Sequence, residues 1–340
     1  TCMSETKDLN NGVGAHGQHE HHGQHAQHGH HGHALRIALA GNPNCGKTTV
    51  FNGYTGARQH VGNYPGVTVD KKEGHVNVNG TRVILVDLPG TYSLTAYSQE
   101  ELVARQELAS DNVQAVINVV DASALERNLL LTVQMLEMGT PVVLSCNMMD
   151  EARNSGVHIA MDRLSALLGI PVLPMVARTG EGLKEAMEAA VALSGKGKRE
   201  PMRISYGAEL DEALLEIEKR IVAAKLLTER YLPSWVALKL LEGDDVILNE
   251  VRKADPKTAA ELEGMRKKIA DHTRATLNAN LESLITDHRY GYIRSILRDG
   301  VFQQDPGKDR LALSDKLDKV LTNALFGPLI MIGVLYFMFY

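Results

Sequence analysis

Residues 35–54 read LRIALAGNPNCGKTTVFNGY: an apolar run over Leu35–Ala40, the octet GNPNCGKT at 41–48, and a helical pattern over Thr48–Tyr54. The octet matches G-x-x-x-x-G-K-[ST], and its place between a strand and a helix is the one a phosphate-binding P-loop requires. Gly41 and Gly46 allow successive N–H groups to converge on phosphate oxygens. The helix N-terminus beyond them adds its positive dipole end. Lys47 supplies a point charge for β- and γ-phosphates, and the Thr48 hydroxyl is a Mg²⁺ ligand. Asn42, Pro43, Asn44, Cys45 and Thr49 complete the expected phosphate loop. A chance match in a chain of this length has odds of about one in a hundred.

Outward from this stretch, short apolar runs recur at Val83–Val86, Val113–Val120, Val142–Cys146 and Val172–Val176. Helical patterns over Ala124–Met138 and Leu183–Leu193 separate them. Near-continuous apolar strands alternating with helices predict a parallel sheet covered on both faces. GKGKREPMR (195–203) reads as a linker, and beyond it the strands are expected to stop. Leu210, Leu214, Ile217 and Ile221 share one helical face, and further helical patterns cover Ser234–Leu241 and 257–297. After Lys319 no charged residue appears for 21 positions, and the chain ends in FGPLIMIGVLYFMFY. A spanning helix needs about 20 apolar residues, so this run reads as the start of one. The alternative, a soluble helix packed on the preceding helices, lacks the polar face that such a helix shows.

Three further motifs follow strands. DLPG (87–90) places Asp87 where it can hold Mg²⁺ through water and Gly90 where its N–H can meet a γ-phosphate, with Leu88 and Pro89 between them. NMMD (147–150) sets Asn147, Met148 and Asp150 after the Val142–Cys146 run. The Asp150 carboxylate can accept guanine N1–H and N2–H₂ together, a pair adenine cannot supply, for discrimination of about 10⁴. Val176, Ala177 and Arg178 close the next strand where a backbone N–H would meet guanine O6. The order of the motifs selects GTP over ATP. In HVGNYPGVTVD (60–70), Gly66, Val67 and Thr68 form the expected second switch contact, with the Thr68 hydroxyl as a further Mg²⁺ ligand or simply a solvated loop threonine. Gly90 is followed by Thr91 and Tyr92, not by the Gln that orients water in many Ras-like GTPases. Slow intrinsic hydrolysis is the expectation, with Asn44 a candidate for coordinating a monovalent cation beside the phosphates. Residues 60–72 and 90–100 are the expected switches. The fold class is therefore α/β: a Ras-like P-loop G domain with a mainly parallel sheet, a small all-α domain, and a truncated transmembrane helix.

Composition narrows the classes. The 340 residues carry 41 acidic and 36 basic side chains, net −5, with 5% aromatics and one tryptophan, which argues against a nucleic-acid-coating protein. Three distant cysteines make no disulfide framework, and a reducing compartment fits them. Residues 16–33 hold nine of the fourteen histidines: His16, His19, His21, His22, His25, His28, His30, His31 and His33. No apolar run interrupts them, so this segment is expected to be disordered without a ligand. Metal storage or sensing, an idle linker and an expression-derived segment all remain readings of it.

The strings GNPNCGKTTVFNGYTGARQHVGNYPGVTVDKKEG (41–74), DLPGTYSL (87–94), NMMD and SDKLDKVLTNALFGPLI (314–330) closely resemble the ferrous-iron transport protein B (FeoB) family. The resemblance covers about 35–340 and implies four segments. These are a His-rich tail (1–34), a cytosolic GTPase domain (35–198), a helical accessory domain that restrains GDP release (199–305), and a juxtamembrane segment leading into the first transmembrane helix (306–340). It further implies GTP/GDP, Mg²⁺ on Thr48, Thr68 and Asp87, and K⁺ stimulation through Asn44. Val176 stands where the family often has Ser, and the His-rich tail, a low-specificity candidate for a transition metal, is outside the common pattern. The implied partners are the lipid bilayer, the membrane part of the same protein, further copies of the chain and a small cytosolic accessory protein, with no nucleic acid. The implied location is the inner cell membrane, with these residues mostly on its cytoplasmic face. The alternative is a metallochaperone GTPase for nickel insertion, which takes the tail seriously because imidazoles suit Ni²⁺ better than Fe²⁺. It leaves the apolar C-terminus and the 60–70 string unexplained. A soluble ribosome-assembly GTPase lacks a basic RNA-binding appendage.

Overall fold

The computed structural model describes residues 34–305 except 57, 58, 65, 111, 196, 198 and 199, together with 321 and 326–339. The His-rich segment and the SDKLD segment (314–318) lie outside the described residues. A seven-stranded sheet carries the first half of the chain. Its strands are β1 (Leu35–Gly41), β2 (Gln59–Asn63), β3 (Asp70–Val78), β4 (Thr81–Asp87), β5 (Ala115–Asp121), β6 (Val142–Asn147) and, after a short strand β7 (Val157–Ile159), β8 (Val172–Pro174). The order is β2-β3-β4-β1-β5-β6-β8. β1 runs parallel to β4 and β5, and β5 to β6 to β8, while β3 is antiparallel to both its neighbours, β2 and β4.

The pleat explains why the central strands read as unbroken apolar runs. Ile37 and Leu39 of β1 pack with Val50 and Phe51 of α1 (Lys47–Thr55) and with Ala186, Met187 and Ala190 of α6 (Leu183–Ser194). Ala38 and Ala40 face the other way, onto Ala104 and Leu108 of α2 (Gln99–Ala109) and Leu125 and Leu129 of α3 (Leu125–Glu137). A strand buried on both faces has no polar alternation to show. Two smaller helices, α4 (Met149–Asn154) and α5 (Met161–Leu168), flank β7.

Three expectations need correction. The stretch 60–70 is not wholly a loop: β2 is an edge strand paired antiparallel with β3, invisible in the sequence because all five of its residues are exposed. Nor do the strands stop at the linker. β9 (Phe302–Gln304) pairs antiparallel with β7, and three residues are too few to show alternation. The 172–176 run also ends early, since β8 stops at Pro174 and Val176 already lies in the following turn.

The helical part consists of α7 (Ala208–Ala223), α8 (Pro233–Glu242), α9 (Asp245–Ala254), α10 (Pro256–Leu277) and α11 (Leu281–Ile296). Side-chain caps mark its joints: Asp244 accepts from Ile247 N–H, Asp255 from Lys257 and Thr258, and Asn280 from Ser283. Asn278, in the left-handed conformation, divides the 257–297 pattern into two helices. Buried charge then ties these helices to the sheet. Arg289 of α11 forks onto Glu137 of α3 at 2.8–3.1 Å and reaches Glu242 at 2.5 Å, and Lys239 closes on Glu242 at 2.7 Å. Arg105 of α2, fully buried, pairs with Asp244. A last helix, α12 (Phe326–Phe339), contains no charged residue. At 1.5 Å per residue it is about 21 Å long. Among the described residues no helix is long and apolar enough to cross a membrane.

Candidate functional site

The P-loop turns between β1 and α1, and two of its glycines are dictated by close approach. A Cβ on Gly41 would lie 2.4 Å from the Val119 carbonyl oxygen. One on Gly46, at φ 86°, would lie 2.4 Å from Asn147 Nδ2. Asn44 is left-handed as well, at φ 66°, and its side chain is exposed. Helix α1 opens at Lys47 with no acidic residue in its first turn, so its dipole end is left positive. Thr48 and Thr49 are exposed on that turn. Cys45 is buried, and burial pushes its thiol up to about 11 against the opposing pull of Lys47.

DLPG meets this loop from β4. Lys47 Nζ makes an ion pair with Asp87 in a nearly buried position. Leu88 N–H donates to the Leu39 carbonyl (2.9 Å) and Thr91 N–H to the Gly41 carbonyl (3.3 Å). Gly90 lies so close that a Cβ on it would be 3.5 Å from Pro43 Cα. Thr68, by contrast, is exposed in a turn closed by Tyr64 N–H on the Val69 carbonyl (2.9 Å), with Gly66 and Val67 alongside. It takes no part in the hydrogen bonds that join Lys47 to Asp87.

Asn147 organises the other side. Its Nδ2 donates to the Cys45 carbonyl at 2.9 Å, and its Oδ1 accepts the Ala177 N–H at 2.9 Å. One buried amide thus pins the P-loop and the 176–181 turn to the end of β6. Met148 takes the left-handed conformation, at φ 60°, and hands the chain to α4. Asp150 stands on the first turn of that helix, half-exposed, and accepts from Arg178 at 2.9 Å. The turn is tightened by Val176 N–H on Glu181 (3.0 Å) and Thr179 N–H on Val176 (3.0 Å). Of the three residues, Val176, Ala177 and Arg178, from which sequence reading expects an N–H for guanine O6, Ala177 donates its own to Asn147 here. Asp121, which sequence reading missed, ends β5 close enough to act on the Cys45 thiol, and it caps Ser123. Its position at the end of an apolar run was the available signal.

The arrangement gathers the turn between β1 and α1, the Lys47 cation and the carboxylates of Asp87 and Asp150 at the C-terminal edge of the parallel strands. Among the described residues no group of three or more His, Cys, Asp or Glu could hold a metal ion. The candidate transition-metal ligands of the tail lie outside them.

Residues 35–190 match the family profile described as ferrous iron transport protein B, and residues 206–301 match that of the FeoB cytosolic helical domain. A fusion protein of Fe(2+) transport protein A and Fe(2+) transporter FeoB from Porphyromonas gingivalis is 40% identical over 311 residues, 90% of this chain and 36% of that protein. A GDP-bound mutant of S. thermophilus NFeoB superposes with a TM-score of 0.70 at 34% identity, covering 78% of this chain and 98% of that one. The cytosolic domain of the T. maritima FeoB iron transporter in its GMPPNP form gives 0.68 at 35% identity, covering 79% and 100%. The chain spans less than half the length of the curated relatives it matches. These matches lend no support to the nickel-insertion alternative. With two profiles in tandem and the motifs assembled at one sheet edge, the chain belongs to the ferrous-iron transport protein B family.

Proposed function

We propose that this chain binds and hydrolyses GTP on the cytoplasmic face of the inner membrane, as the nucleotide-dependent part of a ferrous-iron transporter. The observation that carries the reading is Asn147 bridging the P-loop and the 176–181 turn. That bridge sets the phosphate seat and the Asp150 carboxylate at a fixed separation, as a guanine nucleotide requires. The relatives solved with GDP and GMPPNP support the same choice of nucleotide.

In this reading the backbone of residues 41–48 and the α1 N-terminus hold the phosphates, and Lys47 exchanges its Asp87 partner for β- and γ-oxygens. Asp87 and the Thr48 hydroxyl are hard oxygen donors at the phosphate end, which suits Mg²⁺. Thr68 joins them only if its turn moves inward. Bound Mg²⁺ would neutralise developing phosphate charge. Asn44 offers an exposed amide oxygen to K⁺ beside the phosphates, in the place of an arginine finger. The helical segment restrains GDP release through its contacts with α2 and α3. The apolar α12 begins the membrane part, whose iron path, copies of the chain and small accessory protein are the remaining partners. The His-rich tail is assigned metal storage or sensing.

GTP turnover by the whole chain in K⁺ and Na⁺ at matched ionic strength, with Asn44→Ala alongside, tests this reading. We expect K⁺ stimulation of at least about tenfold, a small part of what an arginine finger supplies, and its loss in the variant. Equal rates in both salts would remove Asn44 from the mechanism.

A further inference from the structure

One P-loop side chain has no role in the site as built so far. Asn42 is 2% exposed, and neither its Oδ1 nor its Nδ2 has a hydrogen-bond partner among the described residues. A primary amide buried with both ends unpaired is a costly feature, and natural cores keep such groups few. Asn42 follows directly on Gly41, whose carbonyl accepts the Thr91 N–H at 3.3 Å, so it sits next to the point where the chain leaving DLPG is fastened to the P-loop.

A second under-satisfied amide is buried nearby in the sheet. Asn118 of β5, paired in register with Ala40, donates to Thr132 of α3 at 2.8 Å, and its own Oδ1 is unpartnered. Two hydrogen bonds fix the strap that follows DLPG. Thr91 N–H is held by the Gly41 carbonyl (3.3 Å), and Leu94 N–H by Gln134 Oε1 of α3 (2.7 Å). Only Tyr92 and Ser93 lie between these anchors. They directly follow Thr91, which holds the position just after DLPG where a Ras-like GTPase commonly carries its water-orienting Gln.

We propose that Asn42 is a positioning residue for hydrolysis: its buried amide takes its partners from the Tyr92–Ser93 peptide groups when GTP is bound. This rests on the GTPase reading above. Pairing there removes the cost of the orphaned amide in one switch arrangement and not in the other, so Asn42 biases the strap toward the arrangement that sets backbone groups against the attacking water. A switch can respond to nucleotide only through such a difference between its states. The device acts from beneath the strap and needs no glutamine.

The test uses the whole chain and its Asn42→Ala and Asn42→Ser variants. Three quantities are read: kcat for GTP at saturation, the Kd for a fluorescent GDP, and the melting temperature with GDP or GMPPNP, each with Mg²⁺. We expect Asn42→Ala to lower kcat about tenfold, less than the 10²–10³ lost with a direct transition-state donor. GDP affinity should stay within about threefold, and the melting temperature with GDP should hold or rise because an unpaired buried amide has gone. The extra stabilisation that GMPPNP gives over GDP should shrink. Asn42→Ser, keeping a small donor and acceptor, should lie between. A kcat within twofold of the parent, or a parallel fall in GDP affinity, GDP-state melting temperature and kcat, would overturn the proposal. Failure of the unsubstituted chain to turn over GTP would instead overturn the reading on which it rests.

Discussion

Replacing Asn147 by alanine removes the clamp on which the candidate site is built, and the structure sets the scale of the loss. The side chain is 3% exposed and makes two hydrogen bonds of 2.9 Å, to the Cys45 carbonyl and from the Ala177 N–H. Truncation leaves both backbone groups unpaired in the interior, at about 1–3 kcal/mol each, or about 2–6 kcal/mol together. For a folded unit of a few hundred residues each kcal/mol moves the melting temperature by about 2–4 °C. A fall of about 4–24 °C is expected. The same groups hold the phosphate loop and the 176–181 turn in register, so GDP affinity should fall by up to about 30- to 10⁴-fold, at tenfold per 1.4 kcal/mol. Asn147→Asp sharpens the case. It keeps an acceptor for Ala177 but turns an anionic oxygen toward the Cys45 carbonyl, and it should be no better than alanine. Differential scanning fluorimetry with and without GDP, followed by fluorescent-GDP titration, measures both effects. An alanine variant within about 2 °C of the parent, with affinity within about threefold, would refute the reasoning.

Two further outcomes follow from titratable groups. With its thiol pushed up to about 11 by burial, Cys45 is thiolate to only about one part in a thousand at pH 8. Its alkylation, followed by peptide mapping, should rise about tenfold per pH unit from 7 to 10 and be blocked by GDP. A plateau near pH 8.5 would show an ordinary exposed thiol. Burial alone would raise the Glu242 carboxyl, but Lys239 and Arg289 outweigh it and hold it at about 2. A carboxyl lowered on folding contributes stability above its unfolded value and loses it as pH falls toward the folded one. Urea midpoints should therefore drop between about pH 5 and pH 2, and Glu242→Gln should be weaker at pH 6 with a flatter profile. Parallel profiles for the two chains would remove Glu242 from the acid transition.

How much of this was legible depends on what each residue must satisfy locally. Leu35–Ala40 and Val142–Cys146 announce themselves because strands buried on both faces are near-continuously apolar, with Arg36 and Ser145 the exceptions. The octet at 41–48 is readable because its backbone path admits only glycine at 41 and 46. β2 is silent, since an exposed edge strand needs no pattern, although Asn79-Gly80, both at positive φ, marked the β3–β4 hairpin and was available to be read. The clamp itself was hidden. Asn147 finds its partners 102 and 30 positions away, and Arg289 finds Glu137 at a separation of 152. Local pattern carries nothing about such pairings. Asn42 reads as one more phosphate-loop residue in the sequence, and only the structure reveals that its amide is buried without a partner.

The central claim is that Asp150 makes this a guanine-nucleotide site, and an Asp150→Asn substitution tests it most directly. Xanthine carries a carbonyl where guanine has its exocyclic amine, so an asparagine at 150 can donate where the aspartate accepts. The account predicts that the parent chain binds GTP at least about 10³-fold more tightly than ATP or XTP. It predicts that Asp150→Asn weakens GTP by about 10²-fold or more and gains XTP in return. Comparable binding of ATP by the parent, or unchanged GTP preference in the variant, would contradict it.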